Sequence, residues 1–329
     1  MRLPAFTYLR PRELGEACAM LAEHGAEAAV VAGGTDLFPK LKRRQVASSV
    51  LVGLQGIGEL RGIHANGGLS IGAGTRISEV VSHPALGGPY AALARAAAMI
   101  ASPQIRNAGT VGGNLCLDVR CDYYDRPAGW REALGYCLKA GADVCRLASG
   151  GYRCWAISTS DLAPVALALE GTVRLVSAAG ERRLPACDLY RNDGTAHLTV
   201  APGEVLAELN VPPADGLRAT YLKLRRRGSI DFPLVGVAAA VRLDEGGICT
   251  DARIALGAVA SMPLRVEAAE RLLVGRALDR DAITEAAEAA AAVAKPMNNT
   301  DLTPGYRKRM VRVYVARALS ELAACGAEG

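Results

Sequence analysis

A glycine-rich run that leads straight into a cluster of cysteines constrains this chain more than any other feature. Asn107-Ala-Gly-Thr-Val-Gly-Gly-Asn114 is followed by Cys116, Cys121, Cys137, Cys145 and Cys154, and by both tryptophans, Trp130 and Trp155. Backbone that an anion can approach closely passes directly into side chains that hold metal. Two redox centres side by side are therefore the expectation.

Composition narrows the setting. Nine cysteines in a reducing compartment argue against a disulfide framework and for metal or redox use of some of them. The segment Met1–Tyr8 has no apolar leader core, and no apolar run reaches spanning length, so a cytoplasmic chain without a membrane span is expected. The net charge of +5 is mild, and the basic runs Lys40–Arg44, Arg225–Arg227 and Arg307–Arg309 are not interleaved with stacking aromatics. No nucleic-acid partner is expected. With 50% hydrophobic residues over 329 positions, the chain is long enough for two or three packed domains.

Taken in order, Ala29–Val31 reads as a buried strand, Ala32-Gly-Gly-Thr-Asp36 as a turn, and Leu37–Leu41 as a helical start. That geometry lets backbone N–H groups meet an anion, with Thr35 adding a hydroxyl. It is neither a GxGxxG fingerprint nor a P-loop. Gly109-Thr-Val-Gly-Gly-Asn114 is a second such turn. Two cradles whose main chain supplies donors fit a pyrophosphate-linked dinucleotide. Pro212–Gly216 reads as a linker. Beyond it come strands at Ala219–Lys223, Val235–Val241 and Ile254–Val259, then helices at Arg265–Leu273, Asp281–Ala294 and Gly305–Ala324. The order predicts an α+β chain.

Three readings compete for Cys121, Cys137, Cys145 and Cys154: inert core thiols, a four-thiolate zinc site, or the ligands of a [4Fe–4S] cube. Their spacing lacks zinc knuckles, and the many turn residues and charges around them suit a core poorly. Lys139, Arg146 and Arg153 are expected to lower the thiol pKa values. Cys116 reads as a buried thiol beside the cofactor, outside the ligand set. Cys18, Cys187, Cys249 and Cys325 read as structural or surface thiols. Asp118 and Asp122 read as turn formers.

Ala32–Asp36 and Thr110–Asn114, taken with Ser160-Asp-Leu-Ala-Pro164, resemble the FAD-binding subunit of the molybdenum hydroxylase family, which includes xanthine oxidase and carbon monoxide dehydrogenase. The resemblance extends to Tyr221-Leu-Lys223, Asp231-Phe-Pro-Leu234 and Gly305-Tyr-Arg-Lys308. The cysteine segment is similar to that of one branch, the β subunit of 4-hydroxybenzoyl-CoA reductase. What the resemblance implies is a two-part FAD-binding region of the PCMH type with a cysteine-rich insert, and a C-terminal domain of a three-stranded antiparallel sheet and helices. The corresponding boundaries are 1–55 and 56–215 for the FAD-binding subdomains, with the insert at about 116–157, and 216–329 for the C-terminal domain.

By the same resemblance, Val30, Val31, Ala32, Gly33, Gly34, Thr35, Asp36 and Leu37 would wrap the FAD diphosphate and ribityl chain. Gly109, Thr110, Val111, Gly112, Gly113 and Asn114 would do so from the second turn. Asp161 would accept hydrogen bonds from the flavin's polar spine, and Lys223 would lie at the isoalloxazine edge. Cys121, Cys137, Cys145 and Cys154 would ligate a [4Fe–4S] cluster, with no catalytic residue in this chain. The implied partners are a molybdopterin-binding large subunit, a small [2Fe–2S] subunit and a ferredoxin-like donor, and the implied reaction is reductive dehydroxylation of 4-hydroxybenzoyl-CoA. A hydroxylase running oxidatively, and a zinc-stapled scaffold without flavin, are the alternatives. The insert is expected to be separable from the cradles.

Overall fold

The structure, a computed structural model, describes residues 2–324, so Cys325 lies outside the described residues. The chain builds three sheets in succession. The first contains β1 (Thr7–Leu9), β2 (Ala28–Val31) and β3 (Val50–Gly53), with α1 (Leu14–His24) and α2 (Leu37–Lys42) as connections. Its order is β1-β3-β2 and all pairs are parallel. This unit departs from a plain α+β pattern, because β1 and β2 are each followed by a helix that returns the chain to a parallel strand. Leu14, Ala17, Cys18 and Leu21 recur at helical spacing along α1 and are buried with Val50 and Val52 of β3 and with Val205 and Ala207.

The second unit comprises β4 (Ile63–Ala65), β5 (Leu69–Gly72), α3 (Ile77–Ser82), α4 (Ala91–Ala98), α5 (Pro103–Arg106) and α6 (Val111–Leu115). After α7 (Ala128–Ala133), within the cysteine segment, it continues with α8 (Leu162–Ala168), β6 (Thr172–Ser177), β7 (Gly180–Pro185) and β8 (Val205–Val211). The strands form an antiparallel sheet ordered β4-β5-β8-β6-β7.

The third unit contains β9 (Leu217–Leu224), β10 (Val235–Leu243), β11 (Cys249–Gly257) and β12 (Leu264–Arg265), followed by α9 (Glu267–Leu273), α10 (Arg280–Val293) and α11 (Pro304–Ala324). Its sheet runs β12-β11-β10-β9 and is antiparallel. It has four strands where three are expected, because the two residues of β12 are too few for an alternating pattern to show. Both faces of this sheet are covered. Val235, Val237, Ala239 and Val241 face the helices α9–α11, while Ala238, Ala240 and Ala255 join the core of the second unit, which includes α4 and α8. The near-continuous apolar run in β10 follows from that double burial. Among the described residues, no helix is long and apolar enough to cross a membrane.

Candidate functional site

The first glycine turn follows β2 and opens α2. Gly34 has φ +69°, a conformation that L side chains rarely adopt, and a Cβ on Gly33 would stand 2.0 Å from the Ala108 carbonyl oxygen. The two glycine segments therefore touch, and the contact requires the absence of a side chain at Gly33. The amides of Gly33, Gly34, Thr35 and Asp36 have no protein acceptor among the described residues.

The second segment behaves differently. Val111 N donates to Thr75 O at 2.9 Å, Gly112 N to Ala73 O at 2.7 Å, and Gly113 N to the capping Thr110 Oγ1 at 3.1 Å. Asn114 N donates to Thr110 O at 2.9 Å. These amides are already committed. Gly112 is there for close packing, since a Cβ would lie 2.7 Å from that of Ala73. The expectation that both turns supply free main-chain donors thus holds for the first and fails for most of the second.

Between the segments lies a cleft of about 630 Å³. Val30 through Leu37, Gly109, Thr110, Gly112, Gly113, Asn114 and Asp161 line it. Val111 instead points into the core. Asn114 Oδ1 accepts from Ser160 Oγ at 2.8 Å and Leu162 N at 3.0 Å, which ties the second glycine segment to the start of α8. Asp161 sits at the N-terminus of α8 without capping it. Its carboxylate accepts from Tyr221 OH at 2.8 Å and Lys223 Nζ at 3.0 Å. Lys223 also donates to Met99 O at 2.9 Å and stands behind Asp161, away from the cleft wall. It is on β9, whose buried face turns the ammonium inward. Burial pushes the Asp161 carboxyl up and the Lys223 ammonium down, and their mutual ion pair opposes both shifts.

The cleft suits a dinucleotide on its own geometry. Its volume is in the range of small-molecule sites, the first turn offers uncommitted amides, and the buried Thr159 Oγ1 on its wall has no partner among the described residues. Sequence reasoning did not identify Thr159, Lys40, Arg120 or Phe232 as cleft residues. Phe232 lies in the Asp231-Phe-Pro-Leu234 segment and Lys40 in the basic run Lys40–Arg44, but neither pattern by itself points to the cleft.

The cysteine segment closes on itself at its base, where Arg120 and Ile157 exchange backbone hydrogen bonds at 2.8 Å in each direction. Cys121, Cys137, Cys145 and Cys154 are buried and free, and all four line one small pocket with Tyr123, Tyr124 and Lys139. The space between them is about 10 Å³, roughly one water. Cys116 lines the glycine cleft instead, and burial pushes its thiol up to about 12. Lys139 pulls the Cys154 thiol down as expected, but burial outweighs it. Burial pushes Cys121 up to about 12 and Cys154 to about 11, and the neighbouring sulfurs add to it. Arg146 and Arg153 direct their guanidinium groups to carbonyls, those of Leu134 and Tyr136 and that of Asn192. Among the described residues, no three Cys, His, Asp or Glu side chains are grouped to hold a single metal ion.

Hydrogen bonds tie the cysteine segment to the residues that follow α2. Arg131 donates to the carbonyls of Arg43 and Arg44 at 2.9 and 3.0 Å, just beyond α2. Gln45 Nε2 donates to Tyr124 O at 2.7 Å and Asp125 Oδ1 at 3.1 Å, and the other Asp125 oxygen accepts from Cys121 N at 3.1 Å. Asp118 is more than a turn former, since Lys40 and Lys139 both donate to it. Burial alone would raise its carboxyl, but the two ammonium groups hold it well below the usual carboxylate range.

Known proteins share this architecture. The family of FAD binding domains in molybdopterin dehydrogenases matches residues 4–214, and the CO dehydrogenase flavoprotein C-terminal domain matches residues 219–322. The carbon monoxide dehydrogenase medium chain of Hydrogenophaga pseudoflava is 31% identical over 96% of this chain and 96% of its own. The aldehyde oxidoreductase FAD-binding subunit of Escherichia coli is 34% identical over 82% of this chain and 86% of its own. The solved carbon monoxide dehydrogenase from Hydrogenophaga pseudoflava superposes with TM-score 0.80 at 31% identity, covering 98% of this chain and 99% of that one. Quinoline 2-oxidoreductase from Pseudomonas putida gives TM-score 0.79 at 28% identity, with 98% and 99% covered. The chain belongs to the FAD-binding subunits of the molybdenum hydroxylase family.

Proposed function

We propose that this chain holds a [4Fe–4S] cluster beside its FAD and serves as the electron-transfer subunit of a molybdenum-containing complex. The observation that carries the reading is the convergence of Cys121, Cys137, Cys145 and Cys154 on one pocket, from positions spread over the insert. Flavin exchanges one or two electrons, whereas an iron–sulfur cube passes one at a time, so the pair would connect a one-electron donor to two-electron chemistry. The chain's own part is to hold the two groups in place and exclude water from the thiolates.

The site sets a condition on this reading. The raised Cys121 and Cys154 must lose their protons as iron binds, so loading releases protons.

Relatives named as a medium chain and as an FAD-binding subunit support assembly with a molybdopterin-binding large subunit and a small [2Fe–2S] subunit. The added cluster favours a ferredoxin-like donor and the reductive direction. There, loss of the phenolic hydroxyl of 4-hydroxybenzoyl-CoA as water consumes two electrons and two protons at molybdenum. A second reading has its own support: relatives are named dehydrogenases, so the complex would hydroxylate an aromatic or heterocyclic substrate and pass electrons outward. Ferredoxin-driven turnover of the purified complex, compared with dye-linked substrate oxidation, decides between them. Cys137→Ser is expected to lose iron. If single replacements of all four cysteines leave iron content unchanged, the ligand assignment is wrong.

A further inference from the structure

Asp118 stands where the two sites meet. Its Oδ1 accepts from Lys139 Nζ at 2.9 Å, and its Oδ2 from Lys40. Asp118 and Lys40 line the glycine cleft, while Lys139 lines the cysteine pocket. Both lysine side chains are buried, at 4% and 8% exposure. Lys40 has a second carboxylate, Asp36, at 3.2 Å, and Arg120 pairs with the other oxygen of Asp36. Lys139 has no carboxylate but Asp118 among the described residues, and it donates to Gly194 O at 2.6 Å. His197 Nδ1 faces Asp118 at 3.5 Å. Three cations thus share two carboxylates, with Asp118 as the hinge between cleft and pocket.

We infer that Asp118 is a positioning residue that couples the flavin cleft to the cysteine pocket, so that the state of one site orders and electrically biases the other. Only the identity of the cluster rests on the proposed function; the coupling rests on the ion pairs. The chain of contacts is continuous. α2 begins at the cleft, carries Lys40 to Asp118, and ends in the carbonyls of Arg43 and Arg44 that the insert's Arg131 grips. Removing the Asp118 charge leaves the buried Lys139 ammonium with no carboxylate among the described residues and Lys40 with Asp36 alone, an arrangement that low-dielectric surroundings penalise strongly. It also adds one positive charge beside the cleft, which favours the more negative, reduced flavin.

The experiment uses the full chain with and without FAD. Amide hydrogen exchange is read across residues 121–147, together with FAD affinity and the flavin midpoint potential. FAD is expected to slow exchange in the insert of the wild-type chain. Asp118→Asn loses that protection, weakens FAD binding about tenfold and moves the flavin potential up, whereas Asp118→Glu restores all three toward wild type. Lys139→Met removes a cation and moves the potential down. These opposite signs separate an electrostatic role from general loosening, and the Lys139 and Glu variants decide the matter if Asp118→Asn does not fold. Equal FAD-linked protection in Asp118→Asn with an unchanged potential, or shifts of the same sign in Asp118→Asn and Lys139→Met, would overturn the inference. An iron-free wild-type chain would sink the cluster assignment alone, because every measurement here reads flavin or backbone.

Discussion

Lys223 donates to Asp161 at 3.0 Å from a side chain with 0% exposure, and the pair links β9 to the start of α8 at the back of the cleft. Tyr221, two residues earlier on the same strand face, completes the carboxylate at 2.8 Å. Breaking a buried pair by removing one partner costs about 3–5 kcal/mol. Lys223→Met is expected to lower the urea midpoint of the full chain by a corresponding amount and to weaken FAD binding, because Asp161 loses its anchor. The Asp161→Asn/Lys223→Met double variant should recover part of the lost stability. Strictly additive losses would show that the two side chains do not depend on each other.

Gly33→Ala tests the contact between the glycine segments. The new methyl would stand 2.0 Å from a backbone oxygen, and both partners are main chain with little room to yield. Overpacking of this kind costs about 1–3 kcal/mol. FAD content of the purified chain should fall while the circular dichroism of the folded protein is retained. Full FAD occupancy in this variant would show that the two segments need not touch.

His197 supplies a pH signature. Burial, with Lys139 and Lys40 adding to it and Asp118 opposing, pushes its imidazole down to about 4 from the ordinary value of 6.5. The unfolded chain therefore takes up a proton that the folded chain refuses. The associated stability is fully present above pH 6.5 and is lost as pH falls toward about 4. Between pH 7.5 and 5 this amounts to about 2 kcal/mol, measured as a change in denaturation midpoint. His197→Gln should flatten that part of the profile; an unchanged slope would contradict it.

Arg307 is fully buried, with no carboxylate among its partners in the described residues. It donates to the carbonyls of Leu234 at 3.0 Å, Met297 at 3.1 Å and Ala258. It thereby ties α11 to the ends of β10 and β11, next to the Ile230–Phe232 segment on the cleft wall. Arg307→Met leaves three inward carbonyls without a donor, at about 1–3 kcal/mol each when fully unsatisfied. A loss of several kcal/mol by chemical denaturation is expected. A loss under about 1 kcal/mol would mean that water replaces the guanidinium.

Motifs whose function is local were legible in the sequence. The Gly33-Gly34-Thr35 turn followed a recognisable strand, and the four insert cysteines stood out by density. Relations between distant residues were not. Lys40 and Asp118 lie 78 positions apart and meet only because the cysteine segment folds back on α2. Lys223 reads as a strand-end lysine until β9 is seen with its buried face toward Asp161. Nearness in sequence does not fix where Arg146 and Arg153 point, and burial outweighs the pull of Lys139 on the Cys154 thiol. The second glycine segment looked like a donor cradle, yet its amides were already bound to Ala73, Thr75 and Thr110. Glycine spacing alone cannot separate a backbone that receives a ligand from one that receives its own chain.

The most direct test of the central claim is the visible spectrum of the anaerobically purified chain, taken with iron, acid-labile sulfide and flavin analysis. One FAD with about four iron and four sulfide per chain, and a broad iron–sulfur shoulder under the flavin bands, is the predicted result. Flavin bands with no iron, or zinc in its place, would contradict it.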